Sequence, residues 1–186
     1  MGAKAGLTRD DVIAAAADLA DRHGFDEVTL GAVARTLGVK TPSLYHHVDG
    51  LPGLRRDLAM RAAGRMTAVL SDAAAGEDPR VALRAIAGAY RSFGARHPGM
   101  YASMLPAPRP GDDDELYAAL AAPVEAVVPV LAALGVAEHE MISTIRIIRS
   151  LLHGFVTLEH DGGFGMPVDI DATFEQLVAS IERLIG

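Results

Sequence analysis

The chain has 186 residues, half of them apolar and 22% charged, the balance of a globular protein with one or two small domains. That composition excludes a disordered or collagen-like chain, and the lack of cysteine excludes disulfides, thiolate metal sites and cysteine nucleophiles. The formal charge of −7 argues at first against nucleic acid, yet Arg35, Lys40, Arg55 and Arg56 outweigh Asp49 and make residues 29–56 locally positive.

Residues 1–6, Met-Gly-Ala-Lys-Ala-Gly, precede no apolar signal core, and Gly6 breaks the myristoylation pattern. Thr8 and Asp11 have the spacing of a capping box. Val12, Ile13, Ala16, Leu19 and Ala20 then recur at helical intervals until Arg22, His23 and Gly24 close the first helix. A second helix opens after Thr29, turns Leu30, Val33, Ala34 and Leu37 inward, and ends at Gly38. A third, very short, begins at Thr41 with Pro42 in its first position, where a missing N–H costs nothing, and presents Leu44 and Val48 to the core. A long helix follows from about residue 54 into the 70s.

Beyond Asp78-Pro79 the pattern stays helical over 81–97, 100–105, 112–134, 138–160 and 170–185, with a proline-rich loop at 106–111. The most apolar window, 116–136, contains Pro123, Glu125 and Pro129; a lone carboxylate is costly in lipid, so the window reads as a kinked or broken core helix. No strand, repeat or low-complexity tract is evident. The expected class is all-α with about nine helices, soluble and cytoplasmic, with no membrane partner.

Residues 30–48 combine two short helices with a tight turn. Ala34 is small enough for a close crossing, Gly38 suits the sharp turn, and Val39 and Leu44 hold the angle. The second member of such a pair stands proud and fits a major groove roughly 12 Å wide. Its outer side carries Lys40, Thr41, Ser43, Tyr45, His46 and His47. Hydroxyls of Thr41 and Ser43 suit phosphate or base edges, and Tyr45 suits phosphate. Spacing alone leaves a second reading open, a helical structural or interaction module with no affinity for DNA.

Chemistry of other kinds finds little support. Adjacent His46 and His47 point in different directions, which disfavours a metal site. Ser150 and His153 lack a third group to orient the histidine. His160-Asp161 lacks the further ligands of a metal-dependent phosphohydrolase, and Gly162-Gly163-Phe164-Gly165 follows no strand. No catalytic residue, metal ligand or cofactor is expected.

The stretch 28–58, VTLGAVARTLGVKTPSLYHHVDGLPGLRRDL, resembles the DNA-binding domain of the TetR family of bacterial transcriptional regulators, most specifically at Leu44-Tyr45-His46-His47-Val48. The resemblance implies an N-terminal three-helix DNA-binding domain (1–53) and a larger helical effector-binding and dimerisation domain (54–186). It also implies a homodimer, usually a repressor, that leaves its double-stranded DNA operator when a small molecule binds. Carried over, phosphate contacts fall on Thr29, Thr41, Tyr45 and His47, and base contacts on Lys40, Pro42, Ser43 and His46. Many relatives carry a phosphate-binding Lys at the start of the fourth helix. Leu51 stands there in this chain, leaving Arg55 or Arg56, one turn later, as candidates to replace it. Lys4, in an N-terminal arm, is placed near a minor groove by the same likeness. Residues 149–155 with Gly163-Phe164 are similar to an effector-domain subgroup with a W-x-H-G-type core, although this chain has no Trp.

Residues 138–160 are apolar almost all round, and 170–185 have a broad apolar face, so a lone protomer would leave a large patch exposed. The expected dimer seam is Ile148, Leu152, Phe174, Leu177 and Ile181 on these last two helices. An effector pocket is expected among Tyr90, Phe93, Met100, Tyr101, Met104, Tyr117 and Phe155, because an apolar cavity with a few polar groups suits a small molecule. Arg146 or His153 would orient the ligand, and a buried pair of Arg146 or Arg149 with Glu125 is the alternative use of those charges.

Overall fold

The structure, a computed structural model, describes residues 6–76, 78–106, 108–109 and 111–185; Lys4 lies outside them. Among the described residues there are nine α-helices and two 3₁₀ helices, and no strand. In chain order the α-helices are α1 (Arg9–His23), α2 (Leu30–Leu37), α3 (Gly50–Ala74), α4 (Pro79–Arg96), α5 (Pro98–Ser103), α6 (Asp114–Glu125), α7 (Val128–Ala133), α8 (Glu138–His160) and α9 (Ile170–Ile185). The 3₁₀ helices are Phe25–Glu27 and Thr41–His46. The chain forms two compact units. One comprises residues up to 63 with 97–120, the other 64–96 with 121 onward, so the divisions fall inside α3, between α4 and α5, and inside α6.

In the first unit α1 starts as its sequence requires. The Thr8 hydroxyl accepts from the Asp11 N–H at 3.1 Å, and the Asp11 carboxylate accepts from the Thr8 N–H at 2.9 Å. These bonds satisfy orphan donors at the helix start, and the Thr8 hydroxyl, donating to the Asp11 carboxylate at 2.6 Å, together with the Thr8 N–H holds that carboxyl below its ordinary value. Val12, Ala16 and Ala20, one turn apart, are fully buried, and α2 and α5 pack on this small-residue face. Asp21 caps α5: it accepts from the Met100 N–H at 2.9 Å and lies 2.8 Å from His97 Nδ1.

The second unit is built on the stripe Met141, Ile145, Ile148, Leu152 and Phe155 of α8, all buried, with Phe174, Val178 and Ile181 of α9 and Ala82, Leu83, Ile86 and Phe93 of α4. Arg91 on α4 reaches across this core. Its guanidinium pairs with Glu159 and Asp171 and lies 4.7 Å from the Phe174 ring centroid and 5.3 Å from that of Phe155. The two aromatic rings are themselves 5.1 Å apart, edge to face.

Three expectations change. The short third helix is 3₁₀, closed by Ser43 N–H to Lys40 C=O and His47 N–H to Leu44 C=O bonds, both 2.9 Å. The fourth begins at Gly50 instead of 54. The segment 112–134 is broken after Glu125, as the proline-containing window suggested, but its first half is no core helix: α6 buries no residue, while α7 buries Val130 and Leu131. The reason is compositional, for the bulky apolar residues of α6 are Leu116, Tyr117, Leu120 and Val124 among alanines, too narrow a stripe for full burial. Residues Asp114–Ala133 and Glu138–His160 match a membrane span in length and apolarity. The first is interrupted, and the second turns its apolar stripe into the core of its own unit.

Candidate nucleic-acid interface

The site is assembled by a turn that little but glycine accommodates. Gly38 adopts φ 67°, ψ 28°, the left-handed region that costs a residue with a Cβ about 1–2 kcal/mol. Its N–H and that of Val39 return to the C=O groups of Arg35 and Ala34, closing α2 and redirecting the chain. The 3₁₀ helix that follows is anchored by a single buried residue, Leu44, with Val48 buried just beyond it. Most of the rest of the segment faces outward. Tyr45 is 60% exposed; Lys40, Pro42, Ser43 and His46 are exposed, and Thr41 and His47 half-buried. Thr29 is exposed too, but its hydroxyl accepts from the Ala32 N–H at 3.2 Å as the cap of α2. The hydroxyls of Thr41, Ser43 and Tyr45, the Lys40 ammonium and the imidazoles thus form one polar edge of donors suited to phosphate and base edges.

The arginines considered as replacements for the lysine absent at Leu51 are committed elsewhere. Arg55 donates to the C=O groups of Asp26 and Val28 at 3.3 and 3.4 Å and lies over the Phe25 ring, 5.1 Å from its centroid. Arg56 grips Asp113 with two bonds, 2.5 and 2.9 Å, and Glu115 with a third at 2.7 Å. Hydrogen bonding from Arg56, helped by the Leu116 N–H, pushes the Asp113 carboxyl down to about 2. Neither arginine is therefore held free for DNA. An acidic run at 112–115 was visible in the sequence, but its partner on α3 was not.

The residues expected to form one effector pocket do not gather in one unit. Met100 and Tyr101 are buried in the first unit, with Met104 half-buried and Tyr117 48% exposed. Tyr90, Phe93, His153 and Phe155 belong to the second, where Phe155 is engaged in the stack with Arg91, Phe164 and Phe174. Arg146, Arg149 and Glu125 are all exposed, so the buried ion pair considered for them is not formed. A small cleft in the second unit is lined by none of the expected residues but by Arg80, Leu83, Leu134, Glu182 and Ile185, and has room for about one water.

The expected seam also needs correction. Ile148, Leu152, Phe174 and Ile181 are 7% exposed or less and face the protomer's own core, and Leu177 is half-buried. On the same helices the side chains left outside are Ile142, Ile147, Leu151, Leu158 and Leu184. Periodicity showed that the helices have an apolar surplus, but not which part of it the monomer would use.

Residues 12–47 match the family described as bacterial regulatory proteins, tetR family, and residues 83–181 match the tetracyclin repressor-like C-terminal domain. The chain belongs to the TetR family. It is 37% identical over 181 residues to an uncharacterised HTH-type transcriptional regulator, Rv0681, of Mycobacterium tuberculosis, covering 95% of this chain and 83% of that protein. A structure of a protein from Rhodococcus sp. RHA1 superposes with a TM-score of 0.82 at 24% identity, over 97% of this chain and 96% of that one. A TetR variant from Acinetobacter baumannii AYE in complex with minocycline superposes with a TM-score of 0.69 at 25% identity, over 97% and 99%. This TetR-family member is thus a DNA-binding, helix-turn-helix transcriptional regulator and not an enzyme.

Proposed function

We propose that the protein is a homodimeric, one-component repressor that binds a pseudo-palindromic operator in the cytoplasm and is released by a small-molecule effector. Residues 1–53 read DNA, and residues 54–186 bind the effector and dimerise. The observation that carries this reading is the outward polar edge from Lys40 to His47 on a segment anchored by Leu44. Two such edges about 34–36 Å apart would meet successive major grooves.

Dimerisation is supported by Ile147, Leu151 and Leu158, exposed at spacings of four and seven on one face of α8, with Leu184 of α9 also exposed. Leu151→Asp is expected to give monomers in sedimentation velocity; an unchanged dimer would move the interface elsewhere. An effector is supported by the minocycline complex of the Acinetobacter relative. In this chain the residues best grouped for one are Tyr90, Phe93 and His153, on the mutually packed α4 and α8. Release requires the effector to favour one state over the other by ~1–3 kcal/mol.

The reading is tested by selecting bound duplexes from a random pool. A two-fold symmetric motif is the expected product, and recovery of no motif and no bound DNA would leave the helical-module reading in its place. Tyr45→Ala is expected to weaken all duplexes alike, since a phosphate contact carries no sequence information. Unchanged affinity at moderate salt would remove Tyr45 from the contacts.

A further inference from the structure

We propose that Arg35, a residue outside the recognition segment, grips operator phosphate, and that Arg35 with Lys40 supplies nearly all the cationic charge residues 6–63 present to DNA. The inference rests on the DNA-binding reading above and comes from following each cation in these residues to its partner. Arg9 forms a two-point pair with the buried carboxylate of Asp57, 2.6 and 3.0 Å. Arg22 lies 3.7 Å from Asp18, Arg61 is bonded to Asp10, and Arg55 and Arg56 are engaged as described. Among the described residues of this stretch, Arg35 and Lys40 are exposed and have no carboxylate partner. They bracket the Gly38 turn. Lys40 immediately precedes the 3₁₀ helix, and Arg35 stands one turn after Gly31 on the outward side of α2. A cation with a carboxylate at its side presents little net charge to a phosphate, and where that carboxylate is buried, as Asp57 is, trading it away would leave a buried charge uncompensated. A free one releases a counterion from DNA outright.

The consequence is a shallow dependence on salt. Counterion release by these two cations per protomer, and about four per dimer, gives a slope of log affinity against log salt of about −3.6. Affinity would then fall about 150-fold between 50 and 200 mM salt, against about 10³–10⁵-fold for proteins making six to ten such contacts. Neutral donors, Thr41, Ser43 and Tyr45 foremost, would carry the rest of the binding.

The test uses the full-length protein and a mixed-sequence duplex of about 40 base pairs, titrated at several salt concentrations at one fixed pH. Arg35→Gln is expected to reduce the slope to about −1.8, so that the same salt step costs only about 12-fold, while Arg35→Lys keeps the parent slope. Arg61→Gln, with its cation already paired, leaves the slope unchanged. Circular dichroism melting of each variant checks that the fold is intact. Parent slope retained in folded Arg35→Gln, or a parent slope steeper than about −6, overturns this inference and leaves the DNA-binding reading standing. Failure of the parent protein to bind any duplex at low salt overturns that reading itself.

Discussion

Replacing Leu44 by Ala is expected to lower the free energy of unfolding by about 2–5 kcal/mol and to abolish DNA binding at protein concentrations that saturate the parent. Leu44 is fully buried and is the only buried side chain of the 3₁₀ helix Thr41–His46. A single short 3₁₀ run has poor hydrogen-bond geometry and no stability of its own, so tertiary burial must hold it. The truncation removes that hold and leaves a cavity, at a cost that is a large share of the 5–15 kcal/mol typical of a domain. The binding loss should exceed what the unfolded fraction explains, because the exposed edge keeps its orientation only through this anchor. Urea unfolding, with the midpoint read at constant slope, measures the first effect, and fluorescence anisotropy with a labelled duplex measures the second. A stability change below about 1 kcal/mol would show that the segment is held by something other than Leu44.

Gly99→Ala is expected to destabilise the protein by about 1–3 kcal/mol or more, although alanine is the better helix former by about 1 kcal/mol. The Cβ it adds would lie 2.1 Å from both the carbonyl carbon and oxygen of Ala20 and 2.6 Å from the Ala20 Cβ. Backbone atoms in the last turn of α1 cannot rotate away, so α5 must back off. In doing so it strains the bond from the Met100 N–H to Asp21 and the contact of Asp21 with His97. Gly64→Ala is the control: Gly64 lies within α3, and a Cβ there meets nothing within 4 Å, so that change should be neutral or mildly stabilising. Thermal unfolding of both variants settles the sign; equal melting temperatures would mean that α5 is not closely seated on α1.

Much of the helical layout was legible because local rules govern it. The capping box at Thr8 and Asp11, Pro42 at a helix start and the αL turn at Gly38 each depend on residues within four positions of one another. The polar edge was legible for the same reason: once Leu44 and Val48 are inside, a tight helix has to place Ser43 and Tyr45 outside. The 3₁₀ form was not legible, since nothing in Thr-Pro-Ser-Leu-Tyr-His distinguishes an i+3 from an i+4 ladder before the segment is docked.

What depended on long-range partners was misread or unread. An apolar stripe looks the same whether its own chain or a second copy covers it, so periodicity offers Ile148, Leu152, Phe174 and Ile181 to a seam although the protomer's own core already covers them. Arg55 and Arg56 sit where a phosphate contact was expected, yet carbonyls 27 and 29 residues away and carboxylates 57 and 59 residues away hold them. Sequence by itself determined the class, the turn and the outward polar edge, because these follow from periodicity and from backbone conformations that few residues tolerate. Tertiary structure alone decided which charges are free and which apolar faces remain open, because an ion pair or a packed face exists only once chain segments far apart in sequence are brought within a few ångströms.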